Sequence, residues 1–317
     1  MGARIHPIAL LALAACQVGG TYTCQDDSQC LRAAETGLCQ PATHHCSFAD
    51  MQCMSGQRYD ESAGGFGGQC VAPINLTIAS DAQDYNIFTA AGSPSLAAVV
   101  IVTINTGVAV SASGTGSAAL VTGSGWADGS SISIVNNGDI IGAGGNGGDP
   151  SGAGGAGGPA IALSWDVIIT NANGYIYGGG GGGGGGGQGY YSDMVSTSYL
   201  PAGGGGGGGA GSVGGSGGKG GGAGGTQMGL CGAGSSPGTS GTATGGSGGA
   251  PCPNGFGAWG GMGGAGGGYG QAGSTGGTSN YFGPGAGGAA GDAITENGHT
   301  VTWVSGDSPP NVVGSVH

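Results

Sequence analysis

Nine cysteines and five histidines are the side chains of this 317-residue sequence whose types and spacing could carry chemistry. Cys24, Cys30, Cys39, Cys46, Cys53 and Cys70 form a dense group, Cys231 and Cys252 a distant pair, and Cys16 stands alone. Even numbers in both groups predict three local disulfides and a Cys231–Cys252 bridge, and with them an oxidising compartment. No Cys-x-x-Cys occurs, so a zinc ribbon or thioredoxin-like site lacks its spacing. His44-His45 has no Asp or Glu spaced to join it, and adjacent side chains diverge; a surface loop is the expected setting. Gly214-Gly215-Ser216-Gly217-Gly218-Lys219-Gly220 echoes a phosphate loop, but no Ser or Thr follows the lysine and no strand precedes the run. Gly144-Gly145-Asn146-Gly147-Gly148-Asp149 echoes a calcium nonapeptide, yet it occurs once and lacks the large apolar residue. No Gly-x-Ser-x-Gly stands on a strand-to-helix turn. These residues predict crosslinks and not catalysis, with no enzyme activity, cofactor or metal.

The cysteines mark out the first segments of the chain. Residues 1–15 hold one cation, Arg4, and the apolar run Ile8–Ala15, which is too short to span a bilayer and suits a signal peptide. Leu13-Ala14-Ala15-Cys16 resembles the bacterial lipobox. That resemblance implies cleavage before Cys16, lipidation of Cys16, and residues 16–23 as a lipid-anchored linker. Gln17, where an Asp would otherwise stand, implies the outer membrane, with the protein surface-exposed; the other reading is a secreted protein. Residues 24–72 form a module whose core is too thin to hold without crosslinks. Six cysteines allow fifteen pairings, and spacing does not choose among them. Cys46–Tyr59 with Gly68–Val71 resembles a cysteine-rich segment of exported proteins of social, predatory soil bacteria. The formal charge is −12 with four unclustered Lys or Arg, which excludes nucleic-acid binding by phosphate neutralisation.

Residues 74–141 read as a β unit, sandwich-like or solenoid-like. Ile74–Ile78 alternates apolar and polar residues, Tyr85–Thr89 follows, and Val99–Ile104 is a β-branched run. Val108–Ser111, Ala118–Thr122 and Ser131–Val135 are shorter candidates, with Gly, Ser and Asn between them. Ile134–Gly142 is echoed by Ile168–Gly178 and, more weakly, by Ala293–Trp303. Each echo reads as strand, Asn-Gly turn, strand, and the third predicts a closing β-hairpin over residues 292–306 before a tail at 307–317.

From the end of the first echo to the start of the third the chain is dominated by glycine. Sixty-six of the 150 positions from Gly142 to Gly291 are Gly, including the runs Gly178–Gly187 and Gly203–Gly209. Collagen is excluded, because the runs break the Gly-X-Y phase. A flexible spacer or matrix segment without a specific ligand is one reading. The other is a bundle of polyglycine helices in the polyproline-II-like form, bonded laterally through backbone groups. Aromatic and apolar residues collect in the breaks between the glycine runs, which favours the bundle.

From Ile74 to Asp307 the order of elements resembles the glycine-rich adhesin tips of bacteriophage tail fibres. The matching stretches are Asn86–Gly92, Val102–Asn105, Val135–Gly142, Ile169–Gly187 and Gly291–Ile294 through Thr302-Trp303. The resemblance implies a polyglycine helix bundle whose joining loops contact a host-cell receptor. By analogy those loops are Gln188–Ala202, Gln227–Trp259 and Tyr269–Phe282. They carry Tyr190, Tyr191, Met194, Tyr199, Leu200, Phe256, Trp259, Tyr269, Tyr281 and Phe282 as receptor-binding candidates. The implied partner is a cell-surface glycan or outer-membrane component. A cysteine module and export signal stand where a phage protein would carry fibre-attachment sequence, so a bacterial surface protein bearing such a tip is expected. The whole reads as mainly β: disulfide-rich module, β unit, polyglycine bundle, closing hairpin.

Overall fold

The computed structural model describes residues 21–33, 35–40, 43–53, 55–95, 97–189, 191–192, 198–199, 203–216, 236–241, 244–250 and 260–317. The predicted signal peptide, Cys16, Cys231 and Cys252 lie outside the described residues. The chain divides into two compact units, Met1–Ala72 and Pro73–His317.

The first unit is short strands held by sulfur. Strands β1 (Leu31–Arg32) and β2 (Glu35–Thr36) pair antiparallel, and β3 (Leu38–Cys39), β4 (Cys46–Ala49) and β5 (Gln57–Tyr59) form a second antiparallel sheet. Three disulfides close it: Cys24–Cys39, Cys30–Cys46 and Cys53–Cys70. The six cysteines thus pair locally, as their grouping predicts. His45 departs from the surface-loop expectation. It is buried, with Nδ1 2.7 Å from the Tyr22 carbonyl and its ring 5.6 Å from that of Phe66.

In the second unit the alternation of apolar residues builds a parallel β-solenoid and not a sandwich. Each of the first four coils contributes one strand to each of three sheets, and a fifth adds a strand to two of them. The first coil is β6 (Ile74–Ile78), β7 (Ala82–Gln83) and β8 (Tyr85–Asn86); the second is β9 (Val99–Ile104), β10 (Ala109–Ser111) and β11 (Leu120–Val121). The third is β12 (Ser131–Asn136), β13 (Asp139–Ile141) and β14 (Ile161–Ala162). The fourth has β15 (Val167–Thr170) and β16 (Tyr175–Tyr177), a long excursion containing β17 (Tyr191–Ser192) and β18 (Ser198–Tyr199), and then β19 (Ile294–Thr295). β20 (Val301–Ser305) and β21 (Val312–Val313) make the fifth. The sheets run β6-β9-β12-β15-β20, β7-β10-β13-β16-β21 and β8-β11-β14-β19, and every ladder in them is parallel.

Side chains that alternate inward fill the space between the sheets. Val100, Val102, Ile104, Ile132, Ile134, Ile140, Leu120, Ile161, Ile169, Ile176 and Ile294 are buried in one cluster. Asn136 and Asn171 are buried among them, and Asn136 Nδ2 donates to Asn171 Oδ1 at 2.8 Å. Asn171 Nδ2 donates onward to the Gly306 carbonyl at 3.1 Å, so the polar column is satisfied.

Four expectations are corrected. The Asn-Gly echoes are not hairpins, because the strands on either side of each turn belong to different sheets and pair with other coils. Gly138 and Gly174 lie outside the positive-φ region. They are glycines because a Cβ would meet the Val108 carbonyl at 2.3 Å and Asn136 Nδ2 at 2.4 Å. Residues 307–317 are not a tail, since they supply β21. Tyr85–Thr89 is strand only to Asn86, whose Oδ1 caps the one-turn helix α1 (Ile87–Ala90) by accepting from Thr89 N at 3.0 Å.

The glycine-rich stretch is two excursions from one corner of the solenoid, between its second and third sheets. One leaves after β13 and returns at β14; the other leaves after β16 and returns at β19. All ten residues of Gly178–Gly187 are buried. Gly179, Gly182 and Gly185 donate to Gly158, Gly155 and Gly152, and Gly180, Gly183 and Gly186 to Ala210, Gly207 and Gly204. Gly181, Gly184 and Gly187 donate to Gln271, Ser274 and Gly277. The carbonyls accept in the same rhythm from Gly145, Gly148 and Ser151, from Gly267, Gly264 and Gly261, and from Gly291, Gly288 and Gly285. Every third residue therefore faces the same neighbour, and the run has six neighbouring segments. A Cβ at any of the ten positions would come within 1.8–2.2 Å of a backbone oxygen.

Candidate functional site

The glycine segments have a solenoid end and a remote end. At the solenoid end Gly178 N donates to the Val313 carbonyl at 2.9 Å and Gly270 N to the Gly178 carbonyl at 2.7 Å. At the remote end, nine residues along the run, Gly187 bonds Gly261 and Gly277.

The remote end is closed by a small polar lock. Gln188 N donates to Ser151 Oγ at 3.2 Å, and Phe282 N donates to the Gln188 carbonyl at 2.9 Å. The Ser279 hydroxyl lies 2.7 Å from both the Gln188 and Phe282 carbonyls and accepts from Tyr281 N at 3.2 Å. This lock fixes a turn carrying Tyr281 and Phe282, whose rings meet edge to face at 4.7 Å and 83°. Both stay open to solvent, at 61% and 43% exposure. Met262, 59% exposed, belongs to the same end, because its carbonyl accepts from Gly277 N at 2.6 Å.

The loop Gln188–Ala202 starts from this lock. Within it β17 and β18 pair antiparallel, with Tyr191 opposite Tyr199 and Ser192 opposite Ser198. Tyr190, Met194 and Leu200 lie outside the described residues, as do the side chains of Tyr191 and Tyr199. Phe256 and Trp259 also lie outside them. The residues that bound residues 251–259 are at the remote end: Gly249 N donates to the Gly205 carbonyl at 2.7 Å, and Gly261 N to that of Gly187 at 2.8 Å.

Tyr269 is placed apart from Tyr281 and Phe282. Its turn sits at the solenoid end, and its ring stacks on Tyr177 at 4.8 Å and 8°, while Tyr177 stacks on Tyr175 at 5.3 Å. Asp139 lies opposite Tyr175 in the neighbouring strand. Burial pushes the Asp139 carboxyl above its ordinary range and pushes the Tyr177 and Tyr269 phenols up as well. The segment from Tyr269 to Phe282 is therefore not one loop. It runs from the base of the glycine array to its far end, and only its last residues reach the tip. Sequence reasoning missed Ser279, Gln188 and Ser151, the residues that hold the tip turn. Their one signal is position, within two residues of a glycine at the edge of the glycine segments.

The described residues assemble no catalytic group of the serine-hydrolase kind. His299 Nδ1 is 3.6 Å from Asp166, and both are partly exposed. The Cys24, Cys30 and Cys39 sulfurs lie within 4.8 Å of one another, but each is in a disulfide and is no metal ligand in that state.

Residues 73–316 match the family model described as phage tail fibre adhesin Gp38. Among solved structures, the crystal structure of the gp37-gp38 adhesin tip complex of the bacteriophage S16 long tail fiber is similar at 23% identity. That match covers 80% of this chain and 86% of the other, with a TM-score of 0.49. A comparison with curated proteins found no match.

Proposed function

Because the chain belongs to the phage tail fibre adhesin Gp38 family, we propose that its second unit binds a cell-surface glycan or outer-membrane component through the loops at the remote end of the glycine array. In this reading the glycine segments are polyproline-II-like polyglycine helices. The scaffold role is supported by the three-residue rhythm of their lateral hydrogen bonds, which is the period of that helix. The observation that carries the proposal is the lock at Gln188 and Ser279, because it holds Tyr281 and Phe282 exposed at the end of the buried run Gly178–Gly187. Large aromatic side chains held outward on a rigid base anchor recognition at low conformational cost. Tyr190, Tyr191, Met194, Tyr199, Leu200, Phe256 and Trp259 are proposed to share the work; Tyr269 is assigned to the base.

The protein acts by binding and not by catalysis, and it is held at the bacterial outer membrane through lipid on Cys16, facing outward. The cysteine module replaces the fibre attachment that a phage particle would need. Binding of the purified chain to intact bacterial cells tests the reading. The double variant Tyr281→Ala/Phe282→Ala should lose binding while the amides of Gly178–Gly187 keep their protection from hydrogen exchange. Unchanged binding removes the assigned tip. Periodate treatment of the cells separates a glycan ligand from a protein one. Radiolabelled palmitate should enter the wild-type chain and not Cys16→Ala; equal entry would end the anchor proposal.

A further inference from the structure

The base of the glycine array carries three tyrosine rings in one stack. Tyr175 and Tyr177 lie two residues apart on β16 and so leave it on the same side, with ring centroids 5.3 Å and planes 20° apart. Tyr269 lies on Tyr177 at 4.8 Å and 8°, too close for another atom to stand between the rings. Strand β16 and the distant turn at Tyr269 are thus joined ring to ring where the second excursion begins. The backbone holds this pair in register. A glycine follows each tyrosine, and Gly270 N donates to the Gly178 carbonyl at 2.7 Å. Gly178 N donates in turn to the Val313 carbonyl at 2.9 Å, and Val313 is the ladder partner of Tyr177. Tyr175 is 38% exposed, while Tyr177 and Tyr269 are half-buried. Elsewhere among the described residues, tyrosine rings stack with phenylalanine: Tyr59 with Phe66 and Tyr281 with Phe282.

We propose that Tyr177 and Tyr269 are an oxidative crosslinking site, joined by a carbon–carbon bond between the ring carbons beside their phenol oxygens. The oxidant is hydrogen peroxide acting through a haem peroxidase. Each phenol gives up one electron and one proton and becomes a tyrosyl radical. The two unpaired electrons make the new bond, and the hydrogen on each bonded ring carbon moves to its oxygen, restoring both phenols. The peroxide takes up the two electrons and two protons and leaves as two waters. Tyr175 is the exposed ring through which an electron leaves the stack, because it lies against Tyr177. Rings already held together couple with each other before they meet a ring of a second chain. The three disulfides of the first unit suit the oxidising surroundings that this chemistry needs. The bond closes residues 177–269 into a covalent loop at the solenoid end, and closing a long loop restricts the unfolded chain. Gly178–Gly187 and the loop that follows it would then start from a covalent anchor.

The full chain, treated in dilute solution with hydrogen peroxide and a haem peroxidase, should stay monomeric, lose the mass of two hydrogens and gain dityrosine fluorescence. Digestion and mass spectrometry should place the bond between Tyr177 and Tyr269. The yield should fall by about tenfold or more in denaturant, where the rings are no longer held together. Tyr269→Phe keeps the stacked ring and removes the phenol, so the fluorescence of its monomer should fall to background. Tyr85→Phe should react like the wild type. The linked chain should also unfold at a higher denaturant concentration than the untreated one. Absence of a bond within the monomer, a bond at another tyrosine pair, or products that only join two chains overturns the proposal. So does an undiminished yield in Tyr269→Phe or in denaturant, or a linked chain that unfolds no later than the untreated one.

Discussion

Replacing Gly182 by alanine separates an ordered glycine array from a flexible spacer, because the two predict opposite signs. The new Cβ would sit 1.9 Å from the Asn146 carbonyl oxygen and 2.4 Å from its carbon. No rotamer relieves this, since the clash is between backbone and Cβ. The segment carrying Asn146 must move outward, and three hydrogen bonds tie it in place. Gly155 N donates to the Asn146 carbonyl at 2.7 Å, Gly145 N to that of Gly180 at 2.9 Å, and Gly148 N to that of Gly183 at 2.8 Å. At about 0.5–1.5 kcal/mol net each, their loss costs about 1.5–4.5 kcal/mol. Alanine in a flexible chain would instead stabilise by about 0.4–1 kcal/mol or leave stability unchanged. Gly116→Ala is the control, because nothing lies within 4 Å of its Cβ position and its φ is not positive; it should stay within about 0.5 kcal/mol of wild type. Denaturant unfolding gives the difference, and hydrogen exchange over Gly178–Gly187 shows whether the array opens. A Gly182→Ala chain as stable as wild type, with unchanged exchange, would refute the packing argument.

Other substitutions probe the remaining parts. Tyr269→Ala should cost about 0.5–1.5 kcal/mol through the lost ring stack on Tyr177 and leave cell binding intact, the reverse of Tyr281→Ala/Phe282→Ala. Asn171→Ala removes the acceptor of Asn136 and the donor to Gly306 inside the solenoid, and thermal unfolding should report a loss of about 1–3 kcal/mol. Asp139 has a raised carboxyl pKa, so its stabilising contribution is complete below the ordinary carboxylate range and is lost as pH rises through the folded value. Asp139→Asn should therefore raise the melting temperature at pH 7, and the gain should vanish in acid; a gain that persists at low pH would contradict the burial argument. Asp84 behaves oppositely. Hydrogen bonds from Ser113 and Ser117 lower its pKa, so the stability it contributes is present at neutral pH and lost as pH falls through that value, a loss Asp84→Ala should suffer already at pH 7.

Local pattern made the strands legible and left their partners hidden. Val99–Ile104 and Ser131–Asn136 announce themselves by alternation, and the echo between Ile134 and Ile169 is a solenoid repeat of 35 residues, the separation of Ile132 and Val167 in the ladder. Asn-Gly between two apolar runs is the ordinary mark of a hairpin, which is why the echoes read that way. Only Asn297-Gly298 has the positive φ of such a turn, and even there β19 and β20 part into different sheets. What distinguishes a solenoid corner is contact with the previous coil, as Gly138 has with Val108. No local window contains that contact. Tyr269 was misplaced for the same reason, since its ring partner lies near the other end of the glycine stretch. The tip turn was legible as aromatic residues interrupting glycine, but the hydroxyl that holds it was not, because Ser279 is one serine among many.

The place where the glycine excursions leave the solenoid explains how so featureless a sequence can be ordered. An isolated polyglycine segment would have to fix each backbone at about 1–2 kcal/mol and find partners without side chains to guide register. Here the ladder does that work before the glycines begin. Ala112 N donates to the Ile141 carbonyl, Gly142 N to that of Tyr177, and Gly178 N to that of Val313, so β-sheet bonding between successive coils continues into the first residue of each excursion. One residue later Gly179 N reaches the Gly158 carbonyl, a bond between glycine segments. The returning strands complete the clamp, with Ala160 N donating to the Asp292 carbonyl. Two outgoing and two returning segments are thus held side by side, in register, by a hydrophobic core that they do not themselves possess. Order should consequently spread from the corner outward. Hydrogen exchange should find Gly179 and Gly182 more protected than Gly187, and a destabilised solenoid such as Asn171→Ala should open the array from its remote end first. If Gly187 outlasted Gly179 in that variant, the solenoid would not be the template.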